Sequence, residues 1–293
     1  MRSRRLGTSD LSVGAIAYGC WRFAGASVTD AQAKVEAALD HGMTLIDTAA
    51  VYGVDDGSGF GAAEELLGRV LADAPALRDQ MIVATKGGIT PGVPYDSSPD
   101  EIRASCDASL RRLGVDVIDL YQIHRPDLLA HPAEVAEALA GLISSDRVRA
   151  IGVSNHSPAQ VAALRAHLGE VPLATIQPEL SLEHLGPIDD GTLDAAMAHD
   201  LTPLAWSPLG GGRLATSVID PPLYTALDSL ADVHGVSRPA IALAFVLAHP
   251  SAPIPIIGTQ RLDRIADAAT AAEVELSKTE WYGLIAAAGR ELP

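Results

Sequence analysis

Eight short apolar runs, parted by amphipathic stretches, constrain this chain more than any other feature. They fall at 16–18, 44–47, 81–85, 118–123, 150–153, 175–177, 202–206 and 254–257. Most are apolar without alternation, the mark of parallel strands buried on both faces. Helix signals lie between them. Thr29 reads as an N-cap before DAQAKVEAALDHG, with Gly42 as its stop. Ser98-Pro99-Asp100-Glu101 opens a helix running to SLRRLG, Pro132 opens AEVAEALAGLISS, and Pro158 after Ser157 opens AQVAALRAHL. Stretches 222–234 and 238–249 separate the last two strands, and 278–290 forms a helical tail.

Eight β-then-α units with short loops predict an α/β fold: a closed (β/α)8 TIM barrel. Segment 2–12 reads as a short hairpin capping the barrel bottom. The 293 residues would suit one such barrel or two ordinary domains, and the unbroken βα rhythm favours a single domain over 1–293. The rival is an open doubly wound sheet, which calls for a GxGxxG fingerprint after its first strand. Here the first strand runs into Gly19-Cys20-Trp21-Arg22, which does not match.

The formal charge of −16 repels nucleic acid and anionic lipid, so neither is an expected partner. A local arginine cluster can still hold a small anionic cofactor. Cys20 and Cys106 form no metal-ligand spacing and read as buried thiols, and no metal site is expected. The basic start MRSRRLGTSDLSV lacks an apolar stretch behind it, and the longest apolar run, 241–248, is too short to span a bilayer. A cytoplasmic enzyme is the expectation.

The chemistry gathers at strand ends. Asp47 closes TLIDTA, Lys86 closes MIVATK, His124 closes IDLYQIH, and Tyr52 follows in the loop DTAAVYG. Each has an ordinary reading: an N-cap, a solvated lysine, a structural imidazole, a surface phenol. Together, on one barrel rim, they make a proton donor. Free tyrosine, with a pKa of ~10, is a sluggish acid at neutral pH. A nearby Lys86 ammonium is expected to lower that value, with Asp47 holding the lysine charged. His124 would orient a carbonyl oxygen or share the proton. Gly258, Thr259, Arg261 and Arg264 follow the eighth strand into a helix, where backbone N–H groups suit a phosphate. Two arginines there favour the 2′-phosphate of NADPH over the bare hydroxyl of NADH. Trp21 either walls the substrate pocket or packs the barrel end. Arg125 either meets an anionic substrate or salt-bridges locally.

DTAAVYG, the lysine of ATKGG, and IHRPD resemble the signature segments of the aldo-keto reductases. The likeness continues through GVSN at 152–155, Gln177, WSPLGGGRL at 206–214 and IIGTQRLDRI at 256–265. The compact loops and the ending EWYGLIAAAGRELP are similar to bacterial members with short substrate loops. The resemblance implies Tyr52 as general acid, Asp47 and Lys86 as its tuning pair, and His124 as the orienting residue. It implies that Ser154, Asn155 and Gln177 hold a nicotinamide carboxamide, that Trp206 stacks on the ring, and that Ser207, Leu209 and Gly210 line the pyrophosphate. Gly19, Cys20, Trp21, Asp47, Pro208, Arg213 and Ile257 complete the implied cofactor surroundings, with Trp21, Tyr52, His124 and Arg125 facing the substrate. Two positions depart from the family pattern: Ala268 stands where many members carry an asparagine near the adenine, and Gly258 where some carry a basic residue.

The expected activity is NADPH-dependent reduction of an aldehyde or ketone to an alcohol. One alternative is a lyase forming a Schiff base on Lys86. Another is a non-catalytic regulatory subunit that binds NADP(H). The sequence leaves the oligomeric state and the physiological substrate open.

Overall fold

The computed structural model describes residues 3–23, 25–216 and 220–292. Arg2 of the expected hairpin, and both ends of the expected 1–293 domain, lie outside the described residues. The chain opens with an antiparallel hairpin, β1 (Ser3–Arg5) and β2 (Ser12–Gly14), then β3 (Ala17–Gly19), α1 (Val28–Asp40), β4 (Leu45–Asp47), α2 (Ala62–Asp73) and β5 (Ile82–Gly87). It continues with α3 (Pro99–Leu113), β6 (Ile118–Ile123), α4 (Pro132–Ser144), β7 (Val148–Ser154), α5 (Pro158–Arg165) and β8 (Leu173–Gln177). Then come α6 (Gly186–Asp189), α7 (Thr192–Ala198), β9 (Thr202–Ala205), α8 (Pro221–His234), α9 (Arg238–Leu247), β10 (Ile254–Ile257), α10 (Leu262–Ala269) and α11 (Lys278–Ala287).

Strands β3 to β10 form a closed, all-parallel barrel of eight, sealed where Ile256 and Ile257 of β10 pair with Ala17 and Tyr18 of β3. Side chains alternate between its two faces. Ala17, Leu45, Ala84, Leu120, Ala150, Ala174, Leu204 and Ile254 fill the interior together with Leu6, Leu11 and Val13 of the hairpin segment, which plugs the barrel floor. Ile16, Tyr18, Ile46, Val83, Tyr121, Ile151 and Val153 face the helices. Two residues beyond Leu45, Ala84 and Leu120 on the inner face stand Asp47, Lys86 and Gln122, so the polar layer lies above the apolar one, toward the strands' C-terminal ends.

Some boundaries depart from the sequence reading. Ser27, not Thr29, caps α1: its hydroxyl accepts the Asp30 N–H at 3.1 Å, three residues ahead. The first barrel strand runs 17–19 rather than 16–18, and the helical stretches starting at 238 and 278 end at Leu247 and Ala287. Helix α2 was not anticipated, although Ala63, Leu66, Leu67, Val70 and Leu71 give it a buried stripe at helical spacing. It starts on Gly61 in the left-handed region without a capping side chain, so the usual start signal is absent. Ser98 and Ser157 cap as expected, and the ring of His131 accepts the Ala133 N–H ahead of α4.

Candidate active site

Asp47 ends β4, Lys86 lies at the end of β5 and His124 follows β6 directly. Parallel strands of one barrel deliver all three to the same rim. Tyr52 joins them because its loop folds back on β5: Ala50 N–H donates to the Lys86 carbonyl at 3.1 Å and Tyr52 N–H to Ala49 at 3.1 Å.

Lys86 is fully buried and spends all three ammonium donors. They reach Asp47 Oδ2 at 2.7 Å, the Thr48 carbonyl at 2.9 Å and Tyr52 Oη at 3.0 Å. The other Asp47 oxygen accepts from Gln177 Nε2 at 3.0 Å, so the carboxylate is clamped from two sides. Burial opposes the Lys86 charge, but Asp47 and Tyr52 outweigh it and its pKa is raised.

The expected lowering of the Tyr52 pKa is corrected. Burial dominates and raises it; the Lys86 charge pulls it down and does not prevail. The phenol therefore keeps its proton throughout the neutral range. Burial, followed by the charges of Lys86 and Arg125, pushes the His124 pKa well below its usual value, so the imidazole is neutral. Its ring meets that of Tyr52 edge-on, with centroids 5.9 Å apart. His124 Nδ1 is buried without a hydrogen-bond partner. A proton there would have no acceptor, which favours the tautomer that donates from Nε2.

A second network runs around the rim from β7 to β9. Ser154 Oγ donates to the Gln177 carbonyl at 2.9 Å, and Asn155 Nδ2 donates to Ser154 Oγ at 2.8 Å and to the His124 carbonyl at 3.3 Å. Trp206 Nε1 donates to Asn155 Oδ1 at 3.0 Å, which fixes the indole beside that amide. Asn155 sits at φ +57°, a left-handed conformation that asparagine tolerates well.

The remaining expected cofactor residues divide by what they can offer. Cys20 is fully buried, burial pushes its thiol pKa far up, and its N–H is spent on the Asp47 carbonyl at 2.8 Å. Ile257 and Pro208 are buried, and Leu209 is half-buried. Ser207 adopts φ +52° and its hydroxyl accepts from Gly211 N–H at 2.9 Å. Gly210 sits at φ +56°, the left-handed region that favours glycine, and a Cβ there would displace the Glu183 carboxylate. That carboxylate also holds Arg213, at 3.0 and 3.1 Å to Nε. At Gly258 a Cβ would meet only the Gly19 carbonyl, at 3.7 Å, which leaves an open cradle between the β3 and β10 ends. Thr259 is half-buried beside it, with its carbonyl accepting from Tyr18 Oη at 3.1 Å. Arg261 is exposed and paired through two nitrogens with Asp263, while Arg264 is exposed with no side-chain partner among the described residues. Ala268 is buried among helix-side apolar groups.

Trp21 is half-exposed at the same rim, and its Nε1 donates to Asp55 at 3.3 Å. Asp55, Glu183 and Asp263 were not anticipated. Asp55 and Glu183 are loop acids that only the fold brings to Trp21 and Arg213, whereas Asp263 lies in the first turn of α10, two residues from Arg261. Of the two readings of Arg125, no local salt bridge is present among the described residues; the guanidinium lies over the Trp206 ring instead, 5.7 Å from its centroid.

Residues 15–287 match the family model described as Aldo/keto reductase family. The chain is 52% identical over 295 residues to the 6-dehydroglucose reductase of Novosphingobium aromaticivorans, spanning 99% of this chain and 97% of that protein. It is 37% identical over 303 residues to the 6-dehydroglucose reductase of Agrobacterium fabrum, spanning 99% of each. Among solved structures, a thermostable aldo-keto reductase in complex with the inhibitor epalrestat superposes with a TM-score of 0.85 at 25% identity, over 98% of this chain and 100% of that one.

Proposed function

The chain belongs to the aldo/keto reductase family, and on that premise we propose that it reduces the aldehyde of a sugar-like substrate to an alcohol, using NADPH and the Tyr52 proton. The carrying observation is the Lys86 ammonium, which bridges Asp47 and Tyr52 with no donor left over. The substrate class follows the names of the two similar reductases described above.

The rim suits a nicotinamide dinucleotide. Ser154, Asn155 and Gln177 line an edge that suits a carboxamide amino group, with Ser154 Oγ and Gln177 Oε1 as acceptors, and Trp206 offers an aromatic face beside it. The cradle at Gly258 has room for a phosphate, with Arg264 uncommitted nearby to take the 2′-phosphate. When bound, the reduced cofactor supplies the hydride to the carbonyl carbon.

The residues of this chain do the rest. Tyr52 Oη donates its proton to the carbonyl oxygen. In the resting site burial keeps that proton on the phenol. As charge moves onto the phenolate oxygen, the ammonium 3.0 Å away meets it without rearrangement. Neutral His124 adds a hydrogen bond to the same carbonyl oxygen from Nε2. Asp47 keeps Lys86 charged and in place. The Schiff-base alternative finds no support here, since a lysine with a raised pKa and three committed donors offers no lone pair.

Tyr52→Phe tests the reading. It removes the acidic proton while keeping the ring, and reduction is expected to fall about 10²–10⁴-fold in kcat with NADPH binding retained. Reduction at near wild-type rate would refute the mechanism. Tight NADPH binding by the wild type with no turnover of any aldehyde would favour the regulatory alternative.

A further inference from the structure

We infer that Arg125 is the specificity residue of this site, a two-pronged donor to the oxygen-rich tail of a hydroxylated aldehyde. The inference rests on the reductase reading and deepens it.

The argument begins with the donors around Tyr52. Lys86 has none to spare. Asn155 Nδ2 is spent on Ser154 and His124, and Trp206 Nε1 on Asn155. His124 has one N–H, which the carbonyl oxygen takes. Arg125 differs from all of them. It is half-buried, directly follows the catalytic histidine, and has no carboxylate or hydrogen-bond partner among the described residues. Guanidinium groups withdrawn from water normally find acceptors for their five N–H donors. Here all five are uncommitted. Arg112 and Arg238, also half-buried, are by contrast paired with Glu64 and Asp228, each at 2.6 Å.

The guanidinium is also held in place. It lies over Trp206, whose indole is tied to Asn155 and whose backbone N–H donates to the Pro178 carbonyl at 3.0 Å. Its charge is felt at His124, so it stands within electrostatic reach of the reacting end. A planar fork fixed on an aromatic face loses little freedom when it closes on two acceptors. Vicinal hydroxyls, or a hydroxyl and a ring oxygen, present two acceptors at the right separation. A plain alkyl chain offers none, and would leave the guanidinium stranded without water.

Purified enzyme is assayed with NADPH on D-glyceraldehyde, propanal and succinic semialdehyde, for wild type, Arg125→Met and Arg125→Lys. The readout is the ratio of kcat/KM for glyceraldehyde to that for propanal. Arg125→Met is expected to lower this ratio at least tenfold, through KM rather than kcat. Arg125→Lys restores charge but not the fork and is expected to recover less than a third of the loss. An unchanged ratio in Arg125→Met, or full recovery in Arg125→Lys, overturns the inference. A larger loss on succinic semialdehyde than on glyceraldehyde overturns it too, since it would make the site a receptor for an anion. Wild-type enzyme that turns over none of the three aldehydes removes the reductase reading itself, a separate outcome from any change in the ratio.

Discussion

At the scale of single residues, the pH behaviour follows from two opposite shifts. His124 is held neutral because burial, Lys86 and Arg125 all penalise the imidazolium. Tyr52 and Lys86 are both shifted upward. Acidification through the ordinary histidine value of 6.5 therefore changes nothing at the site, and activity declines only on the alkaline side as the phenol gives up its proton. We expect kcat/KM for reduction to be level from about pH 6 to pH 8. An inflection near pH 6.5 that vanishes in His124→Gln would contradict this. Which residues meet at the rim was readable from the sequence, since Asp47, Lys86 and His124 are chemically unusual endings for apolar strands. The sign of the Tyr52 shift was not. It depends on how deeply a loop residue is buried against β5, a tertiary quantity with no local trace. Arg125 was left with two readings for the same reason, because its neighbour Trp206 is distant in sequence.

At the scale of elements, strands β6, β7 and β8 carry on the polar layer from Lys86, which pairs in register with Gln122. Gln122 Oε1 accepts from Thr175 Oγ1 at 3.1 Å, across the register that aligns Gln122, Gly152 and Thr175. Gly152 is what allows it. A Cβ there would lie 2.0 Å from Thr175 Oγ1 and 3.1 Å from Gln122 Cγ. Gly152→Ala is thus expected to cost about 1–3 kcal/mol by overpacking. It should also weaken the proposed cofactor binding, because Ser154 ends the same strand and Asn155 follows it. Paired denaturation and NADPH titration would check this; stability and affinity both near wild type would contradict it. Helix α2 shows the limits of element-level reading. Its glutamate, Glu64, is fully buried and takes hydrogen bonds from Thr85 and Arg112, fastening α2 and α3 to the outside of β5. Charged residues in a helix read as solvated, and only the packing of α3 against α2 supplies the partner.

At the scale of the molecule, the apolar plug and the candidate site occupy opposite ends of the barrel. Leu6 is fully buried among the interior side chains at the floor. Leu6→Ala is expected to cost about 2–5 kcal/mol while kcat/KM at moderate temperature stays within twofold of wild type. A thermal melt beside a rate measurement decides it; an unshifted melt, or a rate that falls with stability intact, would break the separation. Eightfold alternation made the barrel legible, and the hairpin was legible as its floor. No run of residues specified the cooperative fit of the plug, which needs side chains from the strands around it.

The seam of the barrel carries one more consequence. Ile257 hydrogen-bonds alongside Tyr18, so the ring joins nearly the first strand to nearly the last. A chain emerging from the ribosome holds β3 with a raw edge until β10 has been made. The nascent barrel is therefore an unfinished sheet, exposed to neighbours and to chaperones, and the ring locks only once residue 257 has emerged.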